Sequence, residues 1–204
     1  MKSSRRSALA LLLSIPLAAL LLTTYACLPA PVGDPEQSKI DDKLVGAWQS
    51  EPDKDGSSWV ALLRPWDKRT YYLTFLNAGK KDDATGHMHL KAWLTKIGDA
   101  TFLTAEALDD LDFAFPKQKD DAAKNDKTWI VGRVDLKDDT LTFRRVNEKS
   151  WIVKDLTTRD KIEAAIKAQV DNNELYAEAQ VYKRIPRENA AQLDELLKKN
   201  KFEH

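Results

Sequence analysis

The sequence predicts a mainly β domain with helices at its C-terminal end: an antiparallel meander of seven or eight strands that closes into a barrel. Three observations predict it. From Lys43 onward, short runs of β-branched, aromatic and aliphatic residues are separated by polar turns. Period-two alternation is clearest in "HMHLKAWLTKI" (87–97), where Met88, Leu90, Ala92 and Leu94 take one face and His87, His89, Lys91 and Thr95 the other. Connections such as "NAGKKDDATG", "KIGDA" and "LKDDT" are hairpin-like, and strands in series with short turns form a meander whose edges closure removes.

The chain begins with an element outside that domain. Lys2, Arg5 and Arg6 form a positive region ahead of the apolar run "ALALLLSIPLAALLL" (8–22), so residues 1–26 read as a signal peptide. Cys27, the only cysteine, stands where the run ends. "TYAC" (24–27) resembles a bacterial lipobox: Ala26 fits, while Thr24 and Tyr25 depart from the usual residues. The resemblance implies cleavage after Ala26 and acyl chains such as palmitate on Cys27. The protein is then lipid-anchored in the bacterial cell envelope, faces the periplasm and has the membrane as a partner. Leu28, not Asp, follows the cysteine, which under the enteric-type rule implies outer-membrane sorting. Three alternatives stay open. Residues 8–26 are long enough for an uncleaved span, "SRRSAL" resembles a twin-arginine signal, and cleavage elsewhere would leave Cys27 a free thiol. Each places the bulk of the chain outside the cytoplasm, because the positive flank stays inside.

Loss of residues 1–26 removes three basic residues and no acidic ones, changing 32 basic against 32 acidic to 29 against 32, near −3. Nothing in that balance favours nucleic acid, whose phosphates call for clustered positive charge. Residues 27–42 are expected to form the lipidated cysteine and a tether. "LPAPVGDPEQSKI" (28–40) has prolines at 29, 31 and 35 and no apolar periodicity, and an extended chain at about 3.1 Å per residue would reach roughly 40 Å.

The folded domain is expected to span 43–204. Its candidate strands are 44–50, 58–64, 69–76, 87–97, 101–108, 128–136 and 140–146. Thr158 then caps a helix whose Ile162, Ile166 and Val170 recur every four residues. "ELYAEAQVYKRI" (174–185) reads as one more strand, and Pro186 opens a last helix with Leu193, Leu196 and Leu197 on its buried face.

Catalysis finds little support, and neither enzyme activity nor a cofactor is expected. The serines form no Gly-x-Ser-x-Gly elbow. His87 and His89 share a strand face, as a metal pair would, but share it with Lys91, so a solvated outer face is the expectation and no metal site is assigned. In "DDLDFAFPKQKDDAAKNDK" (109–127), Phe113 and Phe115 interrupt a hydrated loop. They read either as a lid with two apolar teeth or as pins fixing a long loop to the core.

"LVGAW" (44–48) is similar to the Gly-x-Trp signature of lipocalin-like, or calycin, barrels, with Gly46 and Trp48 as its defining residues. The order of "LVGAW", a strand rich in Tyr and Phe, "LTKIGDATFL" and "VDLKDDTL" also looks like a group of uncharacterised bacterial envelope lipoproteins. The resemblance implies that Trp48 closes the narrow end and that an arginine from a late strand, Arg144 or Arg145, lies over its ring. It also implies a lumen lined by Tyr71, Leu73, Phe75, Met88, Leu90 and Leu94, with Phe113 and Phe115 at the mouth. Two functions stay open: binding of a small hydrophobic molecule in the lumen, or docking of an envelope protein by a scaffold. In the second, Trp59, Tyr71, Leu73, Phe75, Leu90, Trp129 and Phe143 would fill the barrel themselves.

Overall fold

The computed structural model describes residues 28–53, 56–77, 87–108 and 129–186. Their strands are β1 (Gly46–Ser50), β2 (Trp59–Pro65), β3 (Tyr71–Asn77), β4 (His87–Ile97), β5 (Ala100–Ala107), β6 (Trp129–Lys137), β7 (Thr140–Arg145) and β8 (Gln180–Arg184). Each pairs antiparallel with the next, and β8 returns to pair with β1, closing an eight-stranded barrel. The expected meander and closure are both present. Because neighbours alternate in direction, one end of the barrel gathers the starts of β1, β3, β5 and β7. The opposite end gathers the starts of β2, β4, β6 and β8.

Alternation sorts the side chains into an inner and an outer core. Trp48, Leu63, Tyr71, Leu73, Leu90, Ala92, Leu103 and Tyr182 are among the buried residues of the inner cluster. The outer faces of β4, β5 and β6 are also buried. There Ile97, Phe102 and Val131 pack with Val146, Ile152, Val153, Leu175 and Tyr176, and with Ile162 and Ile166 of helix α1 (Arg159–Ala168). Thr158 caps α1 with an extended backbone but no side-chain hydrogen bond. The helix exists because its isoleucine stripe has an apolar wall to cover.

The segment expected as a tether belongs to this outer core. Leu28, Ala30 and Val32 are buried in it. The Val32 carbonyl accepts hydrogen bonds from Trp93 Nε1 at 2.9 Å and Thr104 Oγ1 at 2.7 Å. The Gly33 amide donates to Glu163 Oε1 of α1 at 2.7 Å. Ser38 Oγ accepts from the Leu94 amide at 3.0 Å, after a short 3-10 turn at Pro35–Gln37. Pro29 and Pro31 have no N–H to offer, so the strap is held by the amides of Leu28 and Gly33 on either side of them, by the carbonyls of Leu28 and Val32, and by its apolar side chains. Gly33 has φ +73°, and a Cβ there would sit 1.6 Å from Thr95 Oγ1, so both backbone and contact require glycine. The domain therefore begins by Leu28, not at 43.

Two further expectations change. β8 is shorter than 174–185, because Asn173–Leu175 forms a 3-10 turn that buries Leu175 in the outer cluster and Tyr176 only bridges to Val146. His89 is not solvated: it is 4% exposed, with Nδ1 2.7 Å from the Tyr72 hydroxyl and 3.2 Å from Thr74 Oγ1. The rings of Tyr72 and His89 stack, with centroids 5.5 Å apart. The His87 side chain, Phe113, Phe115, Cys27 and the last expected helix lie outside the described residues.

Candidate functional site

The candidate site is the barrel lumen, and its floor is built by the Gly-x-Trp segment. Trp48 is wholly buried and its Nε1 donates to the Leu44 carbonyl at 2.9 Å. The arginine over its ring is Arg184 of β8, with Cζ 4.0 Å from the ring centroid, and not Arg144 or Arg145. The reason is register: β8 stands between β7 and β1, and Trp48 pairs directly with Arg184. Arg184 also donates to the carbonyls of Val45, at 3.0 Å, and Lys43, and to Asp139 Oδ1 at 3.1 Å. Gly46 has φ +140°, and a Cβ would stand 2.8 Å from Arg184 Nη1. The glycine is thus the space through which the arginine reaches the entry of β1.

Tyr71 completes the floor. Its hydroxyl accepts from the Asp41 amide at 2.6 Å and donates to the Asp41 carbonyl at 3.2 Å. Burial pushes this phenol up to about 12, with the Asp41 and Asp42 carboxylates adding to the shift. Tyr182 is likewise raised to about 12, by burial and by the charge of Asp53, and donates to Gln180 Oε1 at 3.1 Å.

Above the floor lies a cavity of about 490 Å³. Leu73, Phe75, Met88 and Leu90, expected as lining, do line it. Tyr71 belongs to the inner cluster and Leu94 packs against it, but neither is among the residues that line the cavity. Phe113 and Phe115 lie outside the described residues. The volume exists because Ala61 and Ala105 stand between the large side chains. Trp129, expected to help fill the barrel, packs instead on the outer cluster beside Leu28. Strict alternation along β6 carries that signal, placing Ile130 and Val134 inward and Trp129 and Val131 outward.

Sequence reasoning missed the rim. Asp53, Glu178 and Gln180 line the cavity and are exposed, and half-buried Arg145 joins them. All lie at the end opposite Trp48, so the lumen is apolar at depth and polar where it meets water. Arg144, on the outer face, bonds Asp135 at 3.2 Å and lies 5.0 Å over the Tyr176 ring. Among the described residues no group of three His, Cys, Asp or Glu side chains converges as a metal site.

Comparison with known protein families, with curated proteins and with solved structures finds no match to this chain. The fold and the cavity define a class: a closed eight-stranded antiparallel barrel, compatible with a lipocalin-like fold, with an apolar lumen that opens at one end among the described residues.

Proposed function

We propose that the protein is a non-catalytic binder that holds one small hydrophobic molecule in its barrel, as a lipid-anchored, periplasm-facing component of the bacterial outer membrane. The observation that carries this reading is the apolar cavity of about 490 Å³, which falls within the roughly 300–1,000 Å³ of small-molecule sites. A scaffold packed solid with its own side chains would have no such space. The polar rim suits an amphiphile that enters apolar part first and leaves its polar group among Asp53, Arg145, Glu178 and Gln180.

Titration of the protein with oleate and with monoolein tests the reading. Trp59 lines the cavity, so its fluorescence is expected to change saturably, at one ligand per chain. Ala105→Phe, which fills the lumen, is expected to abolish the response while leaving the far-ultraviolet circular dichroism unchanged. No saturable response to a broad hydrophobic panel, together with a specific envelope protein recovered by cross-linking, would move the assignment to an interaction scaffold.

A further inference from the structure

The outer strap sets where a lipid on Cys27 would hold the barrel. Leu28 exchanges two backbone hydrogen bonds with Trp129, at 2.9 and 3.2 Å, and Trp129 is the first residue of β6, at the open end. Consecutive Cα atoms are about 3.8 Å apart, so Cys27 is one residue from that end. The strap that follows is buried against the barrel wall and supplies no slack.

We propose that the open end of the barrel faces the bilayer, so that the lumen opens towards lipid and away from the periplasm. This rests on the lipid anchor at Cys27 proposed above. The distribution of exposed apolar residues supports the orientation independently. Trp151, on the turn that follows β7 at the open end, is 62% exposed, and its Nε1 is held by Glu174 Oε2 at 2.6 Å. Val181, near the open end of β8, is 39% exposed. An indole with one polar edge suits the water–lipid boundary.

The competing surface is the turn between β2 and β3 at the closed end, where Trp66 is 50% exposed among Arg64, Lys68 and Arg69. One of these charges, Arg69, is paired with Glu36. Each basic residue near an anionic surface contributes about as much as one buried methylene, so two or three acyl chains outweigh the turn. The rim carries Glu51, Asp53 and Glu178. Beside them, among the described lining residues, the only basic side chain is half-buried Arg145, so contact there does not draw on net positive charge and is not expected to weaken as salt is raised.

The test uses the full-length protein processed in a bacterial membrane and reconstituted in phosphatidylethanolamine–phosphatidylglycerol vesicles carrying nitroxide-labelled lipids. A fluorophore is attached at Ala179→Cys, on the open end, or at Asp99→Cys, on the turn between β4 and β5. Quenching is expected to be several-fold stronger at 179 than at 99, in low and high salt alike. A flexible insertion between Cys27 and Leu28 is expected to narrow the difference without releasing the protein, leaving the part due to Trp151 and Val181. Flotation with vesicles that Cys27→Ser leaves unchanged overturns the anchor, and the orientation with it. Flotation lost in Cys27→Ser, with quenching at 99 equal to or above that at 179, overturns the orientation alone.

Discussion

The inner and outer cores of this barrel are made of the same kinds of residue, yet only the inner one encloses a cavity. Outside, Val32, Phe102, Val131, Ile162 and Ile166 are completely or almost completely buried, and the strap and α1 close over them. Inside, Leu90 and Leu73 are equally shielded from solvent but border a cavity of about 490 Å³. Burial and packing are therefore separate quantities here. A side chain that borders a cavity has fewer protein neighbours than one in a closed core, so the outer core carries stability that the inner core gives up to form a space.

The largest expected effect breaks the inner core where it is tightest. Trp48→Ala removes the floor, the hydrogen bond to Leu44 and the surface under Arg184, and is expected to cost about 3–5 kcal/mol in urea denaturation. A denaturation midpoint equal to that of the wild type would show that the floor is not needed for closure.

The next pair sharpens the comparison. Ile166→Ala in the outer core is expected to cost about 4 kcal/mol, and Leu90→Ala, on the cavity wall, about 2, the upper and lower parts of the range for buried aliphatic truncation. Equal costs, measured by the same denaturation, would mean that the lumen is collapsed or filled in solution.

The smallest effect of a single residue, within any one pH unit, is that of Tyr71 or Tyr182. Both phenols are raised to about 12 from an ordinary value of 10. A raised acid keeps its proton longer when folded, so its contribution is intact below pH 10 and is lost as pH rises towards about 12. The slope is at most about 1.4 kcal/mol per pH unit for each phenol. Melting temperature between pH 8 and 12 is expected to fall over that interval, and Tyr71→Phe to flatten the fall. A melting temperature independent of pH over that interval would contradict the burial of both hydroxyls.

The two cores were unequally legible in the sequence. β4 runs over 87–97 as expected, because Met88, Leu90, Ala92 and Leu94 alternate without interruption. The lumen residues Leu73, Phe75, Met88 and Leu90 follow from the same alternation. The outer core is hidden in the sequence because His89 and Lys91 give the second face a solvated pattern, although Trp93 and Val131 stand on it. The strap held the missing signal: Leu28, Ala30 and Val32 alternate with Pro29 and Pro31. Proline reads as a spacer because it removes donors, but the donors at Leu28 and Gly33 and the Val32 carbonyl suffice to hold this segment. Residue order alone points to Arg144 and Arg145 and not to Arg184, because it does not say which strand meets β1.

That meeting of first and last strands has a kinetic side. The Arg184 guanidinium reaches the Val45 carbonyl across 139 residues of sequence, and Trp48 has no cover until β8 arrives. Closing so long a loop is slow compared with forming the hairpins between neighbouring strands. A chain emerging from a ribosome or threading through a membrane pore thus remains an open, curling sheet until residue 184 is free. Its two unpaired edges, β1 and whichever strand emerged last, are the places where a companion protein would be needed to prevent sheet-to-sheet association.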